Sequence, residues 1–342
     1  MKMDGVNEQA RLSPQDQLSA WLSADMAAVN ALIRERMNSE HAPRIPEVTA
    51  HLIEAGGKRI RPMLVLAAAH ICGYPSRAPQ GQDHIKLAAT VEFIHTATLL
   101  HDDVVDESAQ RRGRPTANLL WDNKSSVLVG DYLFARAFQL MVEPGNLQAL
   151  NILANASATI AEGEVLQLTA AQDITTSEET YLKVVRGKTA ALFSAATESG
   201  ALIAGASPEQ IRALYTYGDA LGIAFQIADD LLDYGGTSAA IGKNTGDDFR
   251  ERKLTLPLIK AISQADEAER AFWIRVIEKG QQQEGDLEEA LRIMQAHGAL
   301  DAARSDALAW SDRAREALSL LPDHPLKATL SALAEYVVSR LN

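Results

Sequence analysis

Apolar positions along most of this chain recur three and four residues apart, the spacing that lines one face of a helix. Leu18, Trp21, Leu22, Met26 and Val29 begin the pattern, and residues 1–15 ahead of them read as a mobile polar arm. Breakers then fall at Gly56-Gly57, Gly73-Tyr74-Pro75, Arg112 to Pro115, Glu143-Pro144-Gly145, Ser207-Pro208, Gly235-Gly236 and Leu321-Pro322-Asp323. The segments between them are long enough for helices of about ten to twenty-five residues, so the spacing predicts about ten or more helices in succession. Stretches alternating apolar and polar at period two are scarce, which predicts almost no sheet. With no Pro/Gly/Ser-rich linker or shift of composition in the middle, residues 16–342 are expected to form a single large all-α domain.

Composition supports that picture. The 342 residues are 46% hydrophobic and 5% aromatic, enough for a large core. The most apolar long stretch, Ala190 to Ala206, is interrupted by Glu198 and rich in small residues, which fits a buried helix better than a membrane span. A formal net charge of −12 without a long Lys/Arg block argues against a nucleic-acid surface. Any anion must therefore be bound locally, by metal ions and a few basic side chains. The one cysteine, Cys72, excludes an intrachain disulfide and a cysteine metal site, and suits a reducing compartment. The first twenty residues hold no apolar run of the secretory kind. A soluble, cytoplasmic protein is the expectation.

Candidate chemistry enters with two Asp-Asp-x-x-Asp clusters, Asp102 to Asp106 and Asp229 to Asp233, each late in an apolar helical run. At about 100° per residue, positions i and i+4 share a face, so Asp102 and Asp106 project together while Asp103 points aside. The same geometry pairs Asp229 with Asp233. One such cluster reads equally well as solvated charge. Two of them at helix ends, where the dipole disfavours negative charge and like charges cost about 0.2–0.5 kcal/mol a pair, ask for compensation. Mg²⁺ fits, as a hard ion that takes one or two carboxylates plus phosphate oxygens. No His/Cys spacing beside these aspartates suggests zinc.

Basic residues cluster nearby in sequence. Gly56-Gly57-Lys58-Arg59-Ile60-Arg61-Pro62 sets cations beside a glycine hinge before an apolar helix, a combination suited to a diphosphate. Arg111, Arg112 and Arg114 follow the first aspartates closely enough to reach the same ligand. Gly187-Lys188-Thr189 lies among small apolar residues, and Gly242 to Asp248 with Lys253 forms a polar loop able to act as a lid.

Five motifs in order, GGKRIRP at 56–62, FIHTATLLHDDVVDESAQRRGRPTAN at 93–118, GKT at 187–189, FQIADDLLDY at 225–234 and GKNTGDDFRERKLTLP at 242–257, make the chain resemble the trans-polyprenyl diphosphate synthases. The resemblance implies an all-α bundle around a deep central cavity, a homodimer, and about three Mg²⁺ ions per site. It implies Mg²⁺ ligation by Asp102, Asp106 and Asp229, and a catalytic set of Asp102, Asp103, Asp106, Arg111, Lys188, Asp229 and Asp230. Lys58, Arg61, His95 and Arg112 would hold isopentenyl diphosphate. Arg111, Lys188, Thr189, Gln226 and Lys243 would serve an allylic diphosphate such as farnesyl diphosphate, with Lys253 at the lid. Taken singly, His95, Gln226 and Thr189 also read as satisfied core or capping groups, and His101 reads as structural. In the family, bulky aromatics at the positions of Ala97 and Thr98 restrict product length; both are small here, which implies about eight to ten isoprene units, as for a ubiquinone side chain. Thr98, not Ala97, also lies toward the carboxylates on an ideal wheel. A transient membrane contact for product release is a further expectation. A shorter-chain synthase, a terpene cyclase and a non-catalytic subunit are the competing readings; the second Asp-Asp-x-x-Asp counts against the last two.

Overall fold

The computed structural model describes residues 12–54, 57–74, 81–111, 113–235 and 246–340. Most of the expected arm over 1–15 lies outside them, and a helix already begins at Pro14, capped by the Ser13 hydroxyl accepting from the Asp16 amide at 3.1 Å. Helix follows helix along the described residues. The strands among them are a two-residue antiparallel pair, Gln110–Arg111 with Arg114–Pro115, at one of the predicted breaks.

The chain falls into two compact units. The first comprises Met1–Ser157, Leu192–Tyr215 and Leu320–Leu330. Its central helix, Asp83–Val105, packs against Asn123–Val142, Ile60–Ile71 and Ser23–Arg36. Leu87, Ala88, Val91, Phe93, Ile94, Ala97 and Leu100 bury it around its whole circumference, the signature of a core helix. Ile60–Ile71 is buried continuously from Pro62 to Ala69. Helix Ala191–Ile203 approaches it so closely that a Cβ at Gly200 would run onto the Val65 carbonyl. That helix is the one expected at Ala190 to Ala206, and no helix among the described residues is long and apolar enough to cross a membrane.

The second unit comprises Ala158–Ala191, Thr216–Ser319 and Ser331–Asn342. Tyr234, Phe249, Leu258, Trp273, Val276, Ile277, Ile293 and Met294 form its apolar cluster. A capping box between Asp266 and Glu269 starts helix Glu267–Trp273. Lys260 bridges Glu178 at 3.0 Å and Asp306 at 2.9 Å, tying helices Glu178–Val185, Leu256–Ser263 and Ala299–Ala317 together.

Candidate active site

In the first unit, helix Asp83–Val105 ends on the first aspartate cluster, with Asp106 as its C-cap. Asp102 is half-buried, Asp106 exposed and Asp103 fully buried, the division that the helical angles predict. Asp103 Oδ1 accepts from Arg111 Nε at 2.8 Å and pairs with Nη2 at 2.7 Å. Its Oδ2 is enclosed with no hydrogen-bond partner among the described residues. Arg111 therefore holds the cluster in shape through its inner member, while the outer two aspartates keep access to solvent.

The basic motif begins helix Ile60–Ile71. Arg59 sits in the left-handed region at φ 50° as its N-cap and pairs with Glu92, leaving Lys58 exposed just before it. Arg61 Nη1 donates to His95 Nε2 at 3.1 Å, and its guanidinium lies 4.7 Å from the centre of the Phe193 ring. A cation held on both sides in this way has little freedom left to lose when an anion arrives. Thr98 is half-buried, like His95 and Asp102, and donates to the His95 carbonyl at 2.9 Å, whereas Ala97 is fully buried. His101 packs on Gly130, stacks on Phe134 with ring centres 6.0 Å apart, and hydrogen-bonds the Val127 carbonyl at 3.2 Å, a structural arrangement. Gly56 and Arg112 lie outside the described residues.

In the second unit the pattern repeats on helix Pro208–Gly235. The inner aspartate, Asp230, is buried; its Oδ2 accepts from the Tyr181 hydroxyl at 2.6 Å and its Oδ1 from Gln226 Nε2 at 2.8 Å. Gln226 in turn accepts from Thr189 Oγ1 at 2.8 Å, so Thr189, Gln226, Asp230 and Tyr181 form one chain of hydrogen bonds. Asp229 and Asp233 are half-buried. Asp233 receives the Asp247 and Asp248 amides at 3.2 and 3.0 Å, which makes it the anchor of the short turn Asp247–Arg250. Lys188 lies on a π-helical turn, Arg186–Ala190, and contacts Glu164 at 3.0 Å. Lys253 pairs with Glu251 at 2.5 Å, while Lys243 lies outside the described residues.

A profile of the polyprenyl synthetase family matches residues 42–294. The chain belongs to that family. It is 45% identical over 326 residues to octaprenyl diphosphate synthase of Escherichia coli (strain K12), covering 95% of this chain and 98% of that one. A crystal structure of a decaprenyl diphosphate synthase from Rhodobacter capsulatus is 72% identical, with a TM-score of 0.92 and coverage of 96% and 99% of the two chains. A polyprenyl synthase from Caulobacter crescentus CB15, solved in complex with calcium and isoprenyl diphosphate, is 50% identical at a TM-score of 0.89, covering 96% and 98%.

The all-α fold expected of a polyprenyl synthetase is thus the one found. The donor set also suits a hard divalent cation. Burial, then the neighbouring Asp248 carboxylate, pushes Asp230 above the usual carboxylate range; burial, then Asp233, does the same to Asp248. Closely spaced carboxylate oxygens are the donor type that a hard dication takes. Two participants, Tyr181 and Glu164, escaped sequence reasoning. Tyr181 was traceable as an aromatic hydroxyl on an apolar helix face, a group that needs a partner when buried. Glu164 carries no signal of its own, because its contact with Lys188 is made across helices; Asp248 was legible as part of the polar loop, but not its hydrogen bond to Asp233.

Proposed function

We propose that this polyprenyl synthetase is a long-chain all-trans polyprenyl diphosphate synthase, which adds isopentenyl diphosphate repeatedly, head to tail, to an allylic diphosphate such as farnesyl diphosphate. The observation that carries this is the repeated aspartate architecture: in each cluster the inner carboxylate is buried and anchored, Asp103 by Arg111 and Asp230 by Tyr181 and Gln226, while the outer ones stay accessible.

The allylic C–O bond breaks, pyrophosphate leaves, the double bond of isopentenyl diphosphate attacks the allylic cation, and a proton is lost to the departing pyrophosphate. No protein nucleophile is required. Lys58, Arg61, His95 and Arg112 anchor the diphosphate of isopentenyl diphosphate; Lys188 and Lys243 meet the negative charge of the leaving group. Thr189 and Gln226 orient Asp230, and Lys253 serves the lid. Asp102, Asp106 and Asp229 would hold Mg²⁺, about three ions per site, which supplies charge stabilisation of the leaving pyrophosphate when bound. Apolar side chains keep water from the cation.

Purified protein given farnesyl diphosphate, labelled isopentenyl diphosphate and Mg²⁺ is expected to release products of about C40–C50, suited to a ubiquinone side chain. Chromatography that finds nothing longer than about C20 overturns the assignment of length. Thr98→Phe is expected to shorten the product by several isoprene units with little loss of stability, because Thr98 is only half-buried; an unchanged product ladder would remove Thr98 from the length-determining set.

The same reading includes a homodimer and transient membrane contact at product release. Helix Asn123–Val142 supports the first: Val127, Leu128, Phe138 and Val142 fall within an arc of about 100° and are 38%, 66%, 45% and 61% exposed. A second copy of the chain is the occupant expected there. Leu128→Lys combined with Phe138→Glu should convert a dimer to a monomer in analytical ultracentrifugation, and a wild-type chain that sediments as a monomer contradicts it.

A further inference from the structure

Away from the aspartate clusters, helix Asp83–Val105 carries His84 in its first turn, helix Ile60–Ile71 carries His70 in its last, and helix Ser23–Arg36 carries Asp25 in its first. One donor atom from each of these three side chains lies within 4.8 Å of the others. His70 Nε2 is 2.5 Å from Asp25 Oδ2, and His84 Nε2 is 3.8 Å from the same oxygen. An ion pair between His70 and Asp25 accounts for the first distance and leaves His84 unexplained. The His84 side chain is only 9% exposed, yet its Nδ1 is enclosed with no hydrogen-bond partner and its Nε2 stops short of hydrogen-bonding distance from Asp25. Nε2 is the ring nitrogen that faces Asp25, and with no side-chain hydrogen bond of its own it is available as a ligand, Nδ1 carrying the proton in that tautomer.

We propose that Asp25, His70 and His84 form a binding site for a divalent transition metal of the zinc class, separate from the catalytic aspartates. Two imidazoles and one carboxylate are the donors that such ions select over Mg²⁺, whose preference is for oxygen alone. Metal–donor distances of about 2.0–2.2 Å in a tetrahedron place donors roughly 3.3 Å apart, between the shortest and longest separations here, so shifts of about 1 Å complete the site. The donors sit on three helices, which fixes their spacing, and the partial exposure of Asp25 leaves a fourth position for water. Trp21 presents an edge to His70 with ring centres 4.8 Å apart, and Tyr74 lies 4.5 Å from His84, giving the cluster an aromatic wall. Eighteen residues separate His84 from Asp102 along one helix, roughly 27 Å, so an ion at His84 takes no part in the chemistry at Asp102. Its effect is instead to clamp the helices that carry Arg61 and Asp102.

The test is a titration of chelator-treated full-length protein with Zn²⁺, read by calorimetry, and with Co²⁺, read by visible absorption. Wild-type protein is expected to take up one tightly bound zinc and to give the intense bands of four-coordinate, nitrogen-ligated cobalt. His70→Gln and His84→Gln should each weaken that binding by about 100-fold or more and abolish the bands, while Asp102→Asn keeps both. His70 is the more exposed of the two histidines, so His70→Gln serves if His84→Gln fails to fold. Weak cobalt bands in the wild type, tight zinc binding that survives in a histidine variant, or loss of the site in Asp102→Asn each overturn the proposal. None of these readouts depends on turnover, so they stand or fall apart from the proposed activity.

Discussion

Asp102→Asn should lower kcat by about 10²–10³-fold, the scale of removing one preorganised stabiliser of leaving-group charge. The half-saturating Mg²⁺ concentration should rise with it, since the amide keeps the shape but loses the charge that attracts a dication. Thermal stability should change little, because the Asp102 side chain is half-buried at a helix end where the dipole already disfavours its charge. Asp103→Asn is the contrasting variant. Asp103 is fully buried and receives two nitrogens of Arg111, so its loss strips a guanidinium of its charge partner, and both turnover and melting temperature should fall. Steady-state kinetics across a Mg²⁺ series, set beside melting curves, separates the two outcomes. Wild-type turnover from Asp102→Asn at saturating Mg²⁺ would falsify the metal role assigned to that carboxylate.

That contrast also marks how far the sequence could be read. Helical angles alone place Asp102 and Asp106 on one face and turn Asp103 away, and the burial of the three residues follows that division. Nothing in the spacing says what Asp103 turns toward. The spacing brings Arg111 close to the first cluster, and the structure adds that it pairs with Asp103, on a hairpin of Gln110–Arg111 with Arg114–Pro115. The second cluster behaves alike. The i and i+4 relation of Asp229 and Asp233 is local and legible, whereas the hydrogen bond from Tyr181 to Asp230 closes across 49 positions of chain. Periodicity reports which residues share a face; it carries no record of which faces meet. The same limit hid the group of Asp25, His70 and His84, whose members lie on three helices and form no motif in the order of the chain.

Close backbone packing is the feature least visible in sequence, and it governs the position of Lys188. In the second unit, a Cβ built at Gly163 would lie 2.7 Å from Gly187 Cα and 2.9 Å from the Lys188 amide nitrogen. A Cβ at Gly187 would lie 2.6 Å from Gly163 Cα, and one at Gly222 would lie 2.6 Å from Ala190 Cα. The π-helical turn Arg186–Ala190 is therefore pressed between two backbones, and every obstructing atom closest to these glycines is main chain or Cα, which cannot swing aside. Gly163→Ala should cost about 1–3 kcal/mol of stability through overpacking. It should also push the turn away, and if Lys188 meets leaving-group charge as proposed, a displacement near 1 Å is expected to lower kcat/KM on the order of 10²-fold. Gly235→Ala is the control for helix glycines, since a Cβ there meets nothing within 4 Å. A Gly163→Ala protein with wild-type melting temperature and kcat/KM would show that the turn yields freely, and that the position of Lys188 is set by its contact with Glu164 instead of by the glycine clamp.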